Sequence, residues 1–271
     1  MEHEILLVGC GKMGSAMLAG WLDSGTVSHA VVVDPSEANS AAFRDWSNVT
    51  ILSDASELPE GWDPEVVVFA VKPQLMDQVV PAYAHLADSD TFFLSIAAGR
   101  KVAWFQEHLG EDALIVRAMP NTPAAVRAGI SVCYTGAPLT PEQMELAEVL
   151  MGAVGDVSWV EREGLLDAVT AVSGSGPAYV FYMIEALARA GVAEGLPTEL
   201  AQRLARQTVI GSGLLARQSG QAPEQLRENV TSPGGTTAAA LDVLMNAEEG
   251  LQPVLNRTVS AAARRARELA E

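Results

Sequence analysis

A series of short apolar runs constrains this chain more than any other feature: "EILLVG", "AVVVDP", "EVVVFAV", "TFFLSIAAG", "ALIVRAMP", "ISVCYT" and "GDVSWV". In most of these runs apolar residues follow one another instead of alternating with polar ones. Strands of that kind are buried on both faces, which a parallel sheet covered by helices provides. Between them lie amphipathic stretches at 13–24 and 74–86, so residues 1–160 read as an α/β domain. After Trp159 the β-branched runs stop, and Ala, Leu, Glu and Arg dominate from Glu163 onward. The breakers "GSGP", "GLP", "QSGQAP" and "SPGG" punctuate this second part as helix starts and stops, with Pro197 and Pro223 placed for first helical turns. Residues 161–271 therefore read as a separate, all-helical domain. A chain of 271 residues suffices for two modest domains, each with its own core.

Charge limits the partners. A formal net charge of -17 leaves no basic surface for nucleic acid or for an anionic membrane, so an anionic ligand must be held by local donors. No stretch approaches the roughly 20 apolar residues of a membrane span. The opening "MEHEILLVGCGKMG" lacks the basic and then apolar plan of a signal peptide. Cys10 and Cys133 form no disulfide framework, and a cytoplasmic location is expected. The four histidines, at 3, 29, 85 and 108, show no paired spacing, so no metal site is expected. The basic-looking end "AAARRARELAE" reads as a solvated helix face.

The first candidate site is "GCGKMG". Gly9 would make a tight turn after the first strand, Gly11 would let backbone approach a pyrophosphate, and Gly14 would let the following helix pack on the sheet. That helix N-terminus would then direct free N–H groups at a diphosphate. Asp34 closes the next apolar run at the spacing where an acid receives the adenosine ribose, a residue that favours NAD over NADP. Three further loops follow strands of the same sheet. "AVKPQ" carries Ala70, Lys72 and Pro73, "SIAAGR" carries Ala97, Ala98 and Gly99, and "RAMPNTPA" offers the amide of Asn121 for a nicotinamide carboxamide or a substrate.

The second candidate is "NVTSPGGTTAAAL" at 229–241. Pro233 should break a preceding helix and Gly234 and Gly235 should turn the chain. Thr236 or Thr237 should then cap a helix beginning at Ala238. A helix start of this kind is an anion site suited to a small carboxylate.

Taken in order, "GCGKMGSAM", "AVKPQ", "RAMPNTPA", "AVSGSGPAY" and "NVTSPGGTTAAAL" resemble the pyrroline-5-carboxylate reductases across nearly the whole chain. The resemblance implies a Rossmann-like dinucleotide-binding domain followed by an all-helical dimerisation domain whose helices interleave with a second subunit. It implies reduction of the cyclic imine Δ1-pyrroline-5-carboxylate to L-proline with NADPH or NADH, in dimers that commonly build a decamer. Carried over by position, Thr236 and Thr237 bind the substrate carboxylate through their N–H groups, beside Ser232 and Gly235. The Thr237 hydroxyl acts on the ring nitrogen as the catalytic donor. Glu163 matches a position near the substrate and Asn229 one that touches cofactor. Gly11, Lys12, Met13, Asp34, Ala70, Lys72, Pro73, Ala97 and Gly99 match the other cofactor contacts. Asp34 departs from the family's usual tolerance of a 2′-phosphate, so both cofactors stay open on these grounds. Two other readings compete. Hydroxyacid dehydrogenases share the domain plan but use a lysine in the helical half, and no lysine follows Lys101. A redox sensor would bind the dinucleotide without turnover and would not need the donors of "SPGGTT".

Overall fold

The structure is a computed structural model that describes residues 3–87 and 90–270. Its strands are β1 (Glu4–Val8), β2 (His29–Val33), β3 (Val49–Leu52), β4 (Val66–Phe69), β5 (Phe92–Ser95), β6 (Leu114–Met119), β7 (Gly129–Thr135) and β8 (Gly155–Trp159). They form one sheet in the order β3-β2-β1-β4-β5-β6-β7-β8. The first six pair in parallel, and β7 turns antiparallel against β6. The run "ISVCYT" thus departs from the parallel expectation. The segment between β6 and β7 holds only a 3-10 turn, Thr122–Val126, and is too short for the crossover that a parallel neighbour needs.

The helices are α1 (Lys12–Ser24), α2 (Glu37–Ser40), α3 (Met76–Val79), α4 (Val102–Leu109), α5 (Pro141–Gly152), α6 (Leu165–Val169), α7 (Gly176–Ala193), α8 (Thr198–Ser219), α9 (Pro223–Asn229), α10 (Thr236–Leu244) and α11 (Leu251–Leu269). One π turn, Thr170–Gly174, precedes α7. The continuous apolar runs are explained by two cores, one on each sheet face. Ile5, Leu7, Ala30, Val32, Val66 and Val68 pack with Met17, Leu18 and Trp21 of α1 and Leu146, Leu150 and Met151 of α5. Their neighbours Leu6, Val8, Val31, Val33, Val67 and Phe69 pack with Met76, Tyr83, Phe105 and Leu109 on the other face. Period-2 side-chain direction sends alternate residues to opposite faces, so a strand covered on both must be apolar throughout. Trp21 buries its ring and satisfies its N–H on the Leu150 carbonyl at 2.7 Å.

Stretch 74–86 is not one helix. It runs as a 3-10 turn, the single α turn α3, and a second 3-10 segment, Val80–Leu86. Pro81 has no N–H to give the helix and clashes with the preceding turn, which breaks the α ladder there.

The chain divides into two compact units. The sheet unit takes the described residues up to 174 together with those from 263 onward, so the last turns of α11 belong to it, and 175–262 form the helical unit. A Cβ on Gly99, in the loop after β5, would lie 2.8 Å from the Leu269 carbonyl oxygen. The end of α11 thus sits against that loop at backbone distance.

Candidate active site

Six parallel strands in the order 3-2-1-4-5-6 place a switch point between β1 and β4, where their connections leave in opposite directions. The glycine loop sits there. Gly9 has φ +94°, a conformation that side chains resist, and its N–H donates to the Val33 carbonyl at 2.9 Å. A Cβ on Gly9 would lie 2.7 Å from Val71 Cγ1, and one on Gly14 only 2.2 Å from the Gly9 carbonyl oxygen. Gly11 is different: a Cβ there would meet nothing within 4 Å. Two glycines are therefore required by packing, while the third leaves open space over the start of α1. Gly11 is also the N-cap of α1 and offers no capping side chain. The first-turn N–H groups of Lys12, Met13 and Gly14 have no acceptor within the helix. This cradle fits a diphosphate.

Asp34 is 7% exposed and heavily engaged. Its carboxylate accepts from the Cys10 N–H at 2.6 Å, from the Ser36 N–H at 2.8 Å and from Asn39 Nδ2 at 3.1 and 3.2 Å. It braces the glycine loop from the end of β2, a role that the motif spacing did not disclose. Burial, with the Asp34 charge beside it, pushes the Cys10 thiol up to about 12.

The neighbouring loops line the same sheet edge. Ala70 N–H donates to the Val8 carbonyl at 2.8 Å, which holds "AVKPQ" against β1. Lys72 starts the 3-10 turn Pro73–Leu75, and Lys12 and Lys72 are both exposed. Ala97 is buried and donates its N–H to Ser95 Oγ at 3.2 Å, while Ala98 and Gly99 continue that loop. Asn121 is occupied at both ends: Nδ2 donates to the Ser173 carbonyl at 3.1 Å and Oδ1 accepts from the Ile130 N–H at 3.0 Å. It ties "RAMPNTPA" to the π turn within "AVSGSGPAY". A Cβ on Gly174 would meet Met119 Cε at 2.7 Å, so the π turn packs closely on the end of β6.

Glu163 lies just before α6. Its Oε1 accepts from Arg117 Nη1 at 2.9 Å and from the Val102 N–H, at the start of α4, at 2.7 Å. The acid thus serves the N-terminus of a helix distant in sequence while neutralising a buried guanidinium on β6. Arg117 was not singled out from the sequence. A charged residue inside a strand otherwise apolar was the available signal.

The second loop lies in the helical unit. Asn229 ends α9 with an exposed amide, bonded through Oδ1 to Gln225 and through Nδ2 to Gln221, both at 3.0 Å. Gly234 has φ +69°, and the Gly235 N–H donates to the Ser232 carbonyl at 3.0 Å. The helix then begins two residues earlier than its sequence indicated. α10 starts at Thr236, its N-cap is Gly235, and no side chain caps it. The expected cap by Thr236 or Thr237 is corrected accordingly, because Gly235 already adopts the extended N-cap conformation, φ -81° and ψ 174°. Both threonines therefore occupy the first turn, where their own N–H groups are unsatisfied. Thr237 is half-buried and Thr236 exposed.

A glycine cradle at a sheet switch point, braced by an acid at the end of the next strand, defines a dinucleotide-dependent oxidoreductase. Residues 4–99 match a family described as NADP oxidoreductase, coenzyme F420-dependent, and residues 163–269 match the pyrroline-5-carboxylate reductase dimerisation family. The pyrroline-5-carboxylate reductase of Pisum sativum is 42% identical, covering 99% of this chain and 96% of the relative. A solved pyrroline-5-carboxylate reductase from Coxiella burnetii is 34% identical with a TM-score of 0.93, covering both chains fully. A Plasmodium falciparum pyrroline carboxylate reductase with NADP bound is 28% identical at a TM-score of 0.81, covering 99% of this chain and 98% of that one. The chain belongs to the pyrroline-5-carboxylate reductase family.

Proposed function

We propose that this chain reduces Δ1-pyrroline-5-carboxylate to L-proline, the last step of proline biosynthesis. The observation that carries the reading is the uncapped start of α10 at "SPGGTT", a ready carboxylate site in a chain that also builds a dinucleotide cradle. A reduced nicotinamide, of NADH or NADPH, would supply hydride to the imine carbon when bound, with a proton from solvent completing the amine at the ring nitrogen. The chain's own residues bind, orient and donate. The N–H groups of Thr236 and Thr237 hold the substrate carboxylate, with Ser232 and Gly235 shaping the turn. The Thr237 hydroxyl hydrogen-bonds the ring nitrogen, so that the C=N carbon is electron-poor when hydride arrives. Such a site works by orientation and electrostatic placement and needs no strong base or nucleophile.

Gly9, Gly11, Lys12, Met13 and Gly14 take the diphosphate. Asp34 takes the ribose side, and Ala70, Lys72, Pro73, Ala97, Ala98, Gly99 and Asn121 line the path of the dinucleotide. Asn229 adds a contact from the helical part, and Glu163 is a substrate-side residue positioned by Arg117.

The sheet unit serves as the cofactor domain, and the helical unit, 175–262, as the dimerisation and substrate domain. α7 leaves Val180, Phe181, Met183 and Leu187 exposed, and α8 leaves Leu204, Ile210, Leu214 and Leu215. Faces of this kind call for a covering partner, here a second copy with interleaved helices, and pairs of copies assemble further into a decamer. No described helix is long and apolar enough to cross a membrane, and the enzyme works in the cytoplasm on a small-molecule substrate.

The test is steady-state oxidation of NADH and of NADPH with pyrroline-5-carboxylate, for wild type and Thr237→Ala. Turnover that falls in the variant supports the reading. No turnover with either cofactor, despite measurable cofactor binding, sinks it.

A further inference from the structure

Beside Asp34 a cavity of about 390 Å³ opens between α2 and the ends of β2 and β3. Three carboxylates line it, those of Asp34, Glu37 and Glu57, against a single cationic side chain, Arg44. Ser40 also lines it, and its Oγ is fully buried with no hydrogen-bond partner. Arg44 is not free: its Nη2 donates to Glu37 Oε2 at 2.6 Å.

We infer that this cavity receives the adenosine ribose and that Glu37 chooses between the two cofactors, holding Arg44 away from a 2′-phosphate so that the enzyme prefers NADH. The inference rests on the dinucleotide reading above. A 2′-phosphate brings close to two negative charges into a space already lined by three carboxylates. The one cation there is neutralised. A ribose hydroxyl meets no such opposition.

Glu37, not Asp34, is the residue to change. Asp34 already holds the N–H groups of Cys10 and Ser36 and the Asn39 amide, so replacing it loosens the glycine loop for either cofactor. Glu37 is exposed and its side chain engages Arg44 alone among the described residues. Glu37→Gln removes one repelling charge and frees a guanidinium whose fork suits phosphate. Because the pair is solvent-exposed, the gain is modest, about fivefold, and shrinks with salt.

The experiment is calorimetric titration of the full chain with adenosine 5′-monophosphate and adenosine 2′,5′-bisphosphate, which tests the adenosine end without any turnover. Wild type should bind the monophosphate more tightly. Glu37→Gln should move the affinity ratio about fivefold toward the bisphosphate at low salt, and adding Arg44→Gln should cancel the gain. The kcat/KM ratio of NADPH to NADH should shift the same way. If both nucleotides bind but the ratio stays put in Glu37→Gln, or the shift survives Arg44→Gln, or wild type favours the bisphosphate, Glu37 is not the selector and the reductase reading stands. If a folded protein binds neither nucleotide, the dinucleotide reading fails along with the inference.

Discussion

The two glycine loops use the same residue types and hold their shapes by different means. Around Gly9 and Gly14 the neighbours are core: Val71, Ala70 and the Gly9 carbonyl itself leave no room for a methyl group. Around Gly234 a Cβ would meet nothing within 4 Å, and at Gly235 the nearest atom is the Ser232 carbonyl oxygen at 3.1 Å. The first loop is shaped by tertiary packing and the second by its own backbone conformation. A helix start without a side-chain cap can therefore be made either by wedging the helix against a sheet or by a turn that ends on a glycine N-cap.

The largest expected effect tests the wedge. Gly14→Ala places a methyl 2.2 Å from the Gly9 carbonyl oxygen, so α1 must move off the sheet. We expect a loss of about 3 kcal/mol, read by urea denaturation, together with loss of dinucleotide binding. Wild-type stability in this variant would break the contrast between the loops. Thr237→Ala comes next. It should lower kcat/KM by roughly ten- to a thousandfold, as losing one placed donor does. The dissociation constant for the cofactor should stay within about twofold, since Thr237 is assigned to the substrate. A large change in cofactor affinity would show that the two loops do not divide the labour as proposed. Gly234→Ala should cost about 1 kcal/mol, from the φ of +69° alone. A cost matching that of Gly14→Ala would mean that packing also governs the second loop. The smallest signal comes from Cys10, 1% exposed and with its thiol pushed up to about 12. The thiol stays protonated and covered at pH 8, so a thiol-reactive dye should label it only at the rate of unfolding. Fast labelling would mean that the first loop opens.

Legibility in the sequence followed burial. β1, β2, β4, β5 and β6 stood out because both of their faces are covered, and the unbroken apolar text records that. β3 went unread, since Val49–Leu52 holds only four residues and Thr50 interrupts them, while β8, equally at an edge and part exposed, was read from its alternation of Val157 and Trp159 with polar residues. The helix break at Pro81 and the early start of α10 turn on single-residue backbone preferences that a period of 3.6 does not register. In the candidate site, Gly9, Gly11, Gly14 and Asp34 were visible because a local turn and a fixed spacing define them. The Arg117 and Glu163 pair and the grip of Asn121 on the Ser173 carbonyl join groups far apart in the chain, and the Arg44 and Glu37 pair depends on how the chain turns after β2. No local pattern encodes which arginine meets which acid.

The sheet unit is assembled from two separate stretches of chain, since the last turns of α11 return to it and rest against the loop of Gly99. A growing polypeptide therefore cannot finish its sheet unit when the first stretch of that unit has been translated. It must wait until the helical unit has followed, so the order of synthesis is not the order of completion. For anyone cutting the gene at residue 174, the product is a sheet that lacks one of its own supports.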